Sequence, residues 1–236
     1  MPRVGNATWM ETAEYAPGRL VDLYGDPSDP TVLLWHGMQT DSRGAVVLLA
    51  EAIAVHRLFV VAPDWNSHAP DAGRSDLFSS VDFARQHCTD SERLIVVGWS
   101  MGGLAAAGLT LHAEELGGVI GQTVCLAGAF TATDPISGRR LFDDATGHGE
   151  GRASTPFTLL HGLHDDVVPL TASMTFAASL ERAGWPVEVI ELDADHGSIA
   201  GARYDASADR YAPAEDEQTL AVVHDVAARI AAVGRR

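Results

Sequence analysis

The sequence predicts an α/β domain built on a doubly wound, mostly parallel sheet of about eight strands with helices on both faces. Three observations lead there. From residue 31 onward, β-branched apolar runs alternate with segments of helical apolar spacing. The runs are short and apolar at consecutive positions, as strands covered on both faces must be. With 236 residues, 46% of them hydrophobic, and no internal repeat, the chain can bury one sizeable core, so 1–236 is read as a single domain.

The elements follow in order. Ala7 to Tyr15 and Arg19 to Tyr24 are extended runs joined by Ala16-Pro17-Gly18, and are expected to be antiparallel edge strands. Thr31 to Trp35 is a central strand ending at His36-Gly37. Arg43 to Val55 is helical, and Leu58 to Ala62 is the next strand. Asp64 to Asp76 is a loop by its Pro, Gly, Asn and Asp content, with a helix expected over Ser79 to Cys88. Arg93 to Val97 is a strand, residues 103–113 a helix of small residues, and Val119 to Leu126 a strand. Residues 128–156 lack apolar periodicity and are read as a short lid or insertion. Phe157 to Leu160, Thr171 to Ala183, Pro186 to Leu192 and Gln218 to Val233 resume as strand, helix, strand and helix. The acidic stretch 205–217 is expected to be a solvated surface loop.

A formal net charge of −16 disfavours nucleic acid and anionic membrane surfaces as partners, because both recruit Lys and Arg. No window reaches the roughly eighteen apolar residues of a membrane span and no signal-peptide core opens the chain, so a cytoplasmic protein, monomer or homodimer, is expected. Cys88 and Cys125 have no metal-site or disulfide spacing and are read as buried free thiols.

The chemistry is concentrated at Gly98-Trp99-Ser100-Met101-Gly102, where an apolar strand meets a helix. A G-x-S-x-G turn strains the serine backbone, and strand and helix approach so closely that Gly98 and Gly102 must be small. Ser100 then stands at a helix N-terminus, where unpaired N–H groups favour developing negative charge. A serine hydroxyl needs a base within hydrogen-bond reach and a third group to orient that base. Two downstream loops at strand C-terminal ends offer them: His161-Gly-Leu-His-Asp165-Asp-Val-Val-Pro169 and Asp193-Ala-Asp-His196-Gly197. Asp166 and Asp134 are rival acids to Asp165. His36 and His161 are read as structural, His68, His148 and His164 as exposed loop residues, and Trp35, Trp65 and Trp99 as packing residues.

Four features occur in one order: His36-Gly37 after a strand, the Gly98 to Gly102 elbow, His161-Gly162 with Asp165 and Val168-Pro169 beyond, and Asp193-x-x-His196-Gly197. With them the chain resembles the α/β-hydrolase superfamily, and within it small serine esterases of carboxylesterase and dienelactone-hydrolase type. The resemblance implies that Ser100 attacks an acyl carbonyl, His196 moves the proton, and Asp165 orients the imidazole. It also implies an oxyanion hole made of the Met38 and Met101 backbone N–H groups. The expected activity is a serine hydrolase acting on small to medium carboxylic esters, thioesters or lactones, with no metal and no organic cofactor. A perhydrolase or acyltransferase would use the same triad, and a hydrolase-like binding or signalling protein would keep the pocket with little turnover.

Overall fold

In the computed structural model, residues 10–88, 94–113, 120–141 and 155–234 are described. Eight of their strands form one sheet, in the order β1-β2-β4-β3-β5-β6-β7-β8. The strands are β1 (Met10–Ala16), β2 (Arg19–Tyr24), β3 (Thr31–Trp35), β4 (Phe59–Pro63), β5 (Leu94–Trp99), β6 (Ile120–Leu126), β7 (Phe157–Gly162) and β8 (Val187–Leu192). β1 is antiparallel to β2, and β2 to β4; every other neighbouring pair is parallel. The expected doubly wound sheet is therefore present. Only β1 is an edge strand of the expected N-terminal pair, because β2 is covered by β4.

The helices are α1 (Val47–Val55), α2 (Arg74–Gln86), α3 (Met101–Leu111), α4 (Leu170–Arg182) and α5 (Glu217–Val233), with a 3₁₀ turn, Arg43–Val46, leading into α1. The two-residue period of the strands sorts the core between them. Val32, Leu34, Ile95, Val97 and Trp99 pack with α1 and α5 on one face. Leu33, Trp35, Leu94 and Val96 pack with α2 and α3 on the other. A further cluster joins α3 and α4 over β6 and β7, where Phe130 stacks on Phe176 at 4.1 Å.

α2 begins five residues before the sequence reading. The Asp71 carboxylate accepts the Gly73 and Ser75 N–H groups at 3.1 and 2.9 Å, and Gly73 supplies a left-handed turn at φ 80°, so capping chemistry that reads as loop composition starts the helix. A larger correction falls on 205–217. That stretch is no free loop: it carries part of β9 (Ala202–Asp205) and all of β10 (Arg210–Pro213), an antiparallel hairpin, before Asp216 caps α5 by accepting the Thr219 N–H at 2.8 Å. Of the expected lid, residues 142–154 lie outside the described residues. Within 128–141, Phe130, Asp134, Ile136 and Leu141 are buried against the body. Cys125 is buried, whereas Cys88 is only half-buried.

Candidate active site

The chain crosses over between β3 and β5: β4 lies on one side of β3, and β5 on the other. At such a switch point the loops leaving neighbouring strands diverge and open a crevice beyond the strand C-termini. His36-Gly37 leaves β3 and Ser100 leaves β5 at that crevice. Asp165 and His196 follow β7 and β8 on the same sheet edge.

Ser100 sits between β5 and α3 at φ 56°, ψ −116°, a strained position for a residue with a side chain. Its backbone is fully committed. The N–H donates to Leu126 C=O at 2.9 Å, and the C=O accepts Leu104 and Ala129 N–H groups, each at 3.1 Å. The flanking glycines are sterically required: a Cβ on Gly98 would stand 2.0 Å from Gly102 O, and one on Gly102 would stand 2.5 Å from both Trp35 O and His36 O.

His196 is buried, and its Nδ1–H donates to Asp165 Oδ2 at 2.8 Å, which leaves Nε2 as the unprotonated nitrogen. Asp165, and not its exposed neighbour Asp166, faces the imidazole. Its Oδ1 accepts the Val167 and Val168 N–H groups at 2.9 and 2.8 Å. His161 Nε2 lies 3.4 Å from the same Oδ2 and donates to Val168 C=O at 2.9 Å, so His161 Nδ1 accepts the Ser173 hydroxyl at 2.8 Å. Burial alone would raise the Asp165 pKa. The imidazoles of His161 and His196, with the Val168 N–H, outweigh that and hold the carboxyl well below the usual range. Asp134, the other rival acid, is buried elsewhere, pressed against Gly108 on α3 and accepting the Ile136 and Ser137 N–H groups.

The tryptophans do more than pack. The Trp99 indole N–H donates to His196 C=O at 2.7 Å and the Trp65 indole N–H to His36 C=O at 3.1 Å, so each braces one loop of the site. Ser100 Oγ makes no hydrogen bond with His196 in this conformation; the Trp99 indole is what ties the Ser100 segment to the His196 loop. Contacts of this kind commonly tighten only when substrate binds.

His36 is fully buried and accepts the Ser42 and Trp65 N–H groups on Nε2 at 3.3 and 3.2 Å, so its proton is on Nδ1, which donates to Gly37 C=O at 2.8 Å. Burial pushes its pKa down to about 3, and the ring is neutral. Because a trans peptide directs C=O and N–H to opposite sides, fixing the Gly37 carbonyl turns the Met38 N–H away from His36. Neither the Met38 nor the Met101 N–H is spent on a described residue. Of the remaining histidines, His68 and His164 are exposed, His164 pairing with Asp193 at 2.8 Å, and His148 lies outside the described residues. Among the described residues, no group of three His, Cys, Asp or Glu could hold a metal ion.

Solved structures superpose on nearly the whole chain. A Klebsiella pneumoniae protein assigned as a dienelactone hydrolase gives a TM-score of 0.72 at 19% identity, covering 98% of this chain and 100% of its own. The chain has the α/β-hydrolase fold. Esterase B from Lactobacillus rhamnosis gives 0.71 at 14% identity, over 99% of this chain and 89% of its own. Thermogutta terrifontis esterase 2, phosphorylated by paraoxon, gives 0.67 at 16%, over 94% of each chain. Residues 130–214 match the model of the prolyl oligopeptidase family, a segment that includes Asp165 and His196 but not Ser100. No curated protein matches the sequence.

The sequence reading missed three contributors: the Ser173–His161 relay behind Asp165, the two indole braces, and Tyr211 on the β9–β10 hairpin. Tyr211 packs edge-on to Trp99 with ring centroids 4.9 Å apart, and lies 6.0 Å from His196. The His161-Gly pattern and the buried tryptophans were visible in the sequence, but their partners are distant along the chain.

Proposed function

We propose that this protein is a serine hydrolase that cleaves small to medium carboxylic esters through an acyl-enzyme. The observation that carries the reading is the Asp165–His196 hydrogen bond of 2.8 Å on the same sheet edge as a strained, elbow-mounted Ser100. The esterases among the structural relatives and the prolyl oligopeptidase match over the acid and base segment support it.

In the mechanism, Ser100 Oγ attacks the acyl carbon while its proton passes to His196 Nε2. The carbonyl π electrons move onto oxygen, and the Met38 and Met101 N–H groups receive that oxyanion. Asp165 stabilises the imidazolium and keeps Nε2 aimed at the reacting atoms. The tetrahedral intermediate collapses, the C–O bond to the alcohol breaks, and His196 gives its proton to the departing oxygen. Water then adds to the acyl-enzyme with His196 as base, releasing the acid and restoring Ser100.

The test is steady-state kinetics on a panel of acetate, butyrate and hexanoate esters, with a matched peptide amide beside them. Ester turnover that falls to background in Ser100→Ala is the expected result. An unchanged rate in Ser100→Ala would overturn the reading. Faster cleavage of the amide than of its matched ester would replace esterase by peptidase.

A further inference from the structure

The hairpin directly after His196 leans over the site and is tied to the loop that follows β3. Tyr211 N–H donates to Gln39 Oε1 at 3.3 Å, and the same oxygen accepts the Ser42 hydroxyl at 3.0 Å. Arg210 Nη2 donates to Ser42 Oγ at 3.1 Å and to Asp41 C=O at 3.5 Å. The Tyr211 ring rests on Trp99, His196 and Tyr204, the last at 5.3 Å, and remains partly exposed. A Cβ on Gly197 would stand 2.5 Å from Ala202 O and 3.0 Å from Tyr211 Cε1, so the glycine lets both the hairpin backbone and the ring come close.

Resting on the serine-hydrolase reading above, proton delivery fixes which part of the substrate meets this ring. The leaving oxygen must come within hydrogen-bond reach of His196 Nε2, so the alcohol portion departs past the groups that flank His196. Trp99 is 1% exposed and cannot touch it. Tyr211 keeps free surface and is the one of the two hairpin tyrosines with a ring contact to His196, Tyr204 lying outward against it, and the exposed Leu163 and Val167 stand on the Asp165 loop. We propose that Tyr211 is a specificity-determining residue whose ring forms the wall of the alcohol side and favours esters of flat aromatic alcohols. The hairpin holds that wall in register with the loop after β3 through Gln39, Ser42 and Arg210. Burial, and then the carboxylates of Asp165, Asp166 and Asp195, raise the pKa of the phenol, so the ring stays neutral across the working range.

The experiment compares phenyl acetate with ethyl acetate, which share one acyl-enzyme, in wild type, Tyr211→Ala, Tyr211→Leu and Tyr211→Phe. Labelling of Ser100 by a small ethoxy fluorophosphonate reports the nucleophile in each. In Tyr211→Ala and Tyr211→Leu, kcat/KM for phenyl acetate should fall about 3- to 10-fold further than for ethyl acetate, the range an aromatic pair supports. Tyr211→Phe should keep the preference. Equal losses on both esters with Ser100 still labelled would overturn this proposal alone, leaving Tyr211 a brace. Wild type that is neither labelled nor active on either ester would overturn the hydrolase reading and this proposal with it.

Discussion

His36 shows how much of this site depends on residues that never meet substrate. A neutral imidazole with both nitrogens engaged fixes the Gly37 peptide, and it tolerates no second proton because burial lowers its pKa to about 3. The unfolded chain takes up that proton near the ordinary histidine value of about 6.5. Between those values the unfolded state binds more protons, so the His36 contribution is complete above about pH 6.5 and is lost as pH falls toward 3. The slope from this group is at most about 1.4 kcal/mol per pH unit. Urea denaturation of His36→Asn from pH 7 to 4 should show a shallower acid loss than wild type; parallel curves would contradict the assignment. At Asp165, the proposed mechanism expects Asp165→Asn to lower kcat on the order of 10³-fold or more, since an amide can hold imidazole in the wrong tautomer. Asp134→Asn, at a carboxyl placed against α3, should leave kcat within about twofold. Kinetics of the pair would separate the acids, and similar losses in both would contradict the choice of Asp165.

At the scale of elements, the β5-turn-α3 elbow has no slack. The atoms meeting a Cβ on Gly102 are backbone oxygens of β3, which cannot rotate away as a side chain could. Gly102→Ala should therefore destabilise the fold by about 1–3 kcal/mol, as forced overpacking does, and slow labelling of Ser100. A thermal melt matching wild type would show that the elbow can relax. The same elements explain what the sequence disclosed. Strands β3 and β5 stood out because burial on both faces makes nearly every position apolar, and the elbow did because its glycines are fixed by local backbone contact. α2 began early because Asp71 and Gly73 look like loop residues until their hydrogen bonds are seen. The β9–β10 hairpin was missed because it is a two-stranded ribbon with polar, acidic residues and little alternation. What orders it, Tyr211 on Trp99 and Arg210 on the loop after β3, joins positions more than a hundred residues apart along the chain.

The whole molecule imposes a selection of its own. It carries 32 acidic against 16 basic side chains, and of the three arginines whose charge acts on His36, Arg19 is paired with Asp41 and Asp76 and Arg43 with Asp22 and Asp64, while Arg210 is held by Ser42 and the Asp41 C=O. The net charge of −16 favours neutral over anionic substrates unless Arg210 outweighs it locally. An ester carrying a carboxylate should react with lower kcat/KM than its neutral methyl-ester analogue, with the gap narrowing as salt rises from about 0.01 to 0.5 M. A preference for the anion, or a gap indifferent to salt, would mean that a local cation outweighs the net charge. At this scale, the order of site segments along the chain was legible, because parallel strands bring their C-terminal loops to one edge. The contacts within that edge were not: Ser173 behind His161, and the indoles of Trp65 and Trp99 on opposite loops, depend on how the layers pack.

Whether Ser100 is an activated nucleophile is read most directly by peptide mapping by mass spectrometry after brief exposure to a fluorophosphonate. One adduct is expected, on Ser100, absent from Ser100→Ala and much slower to form in His196→Ala. An adduct on another residue, or one on Ser100 that forms equally fast without His196, would contradict that activation.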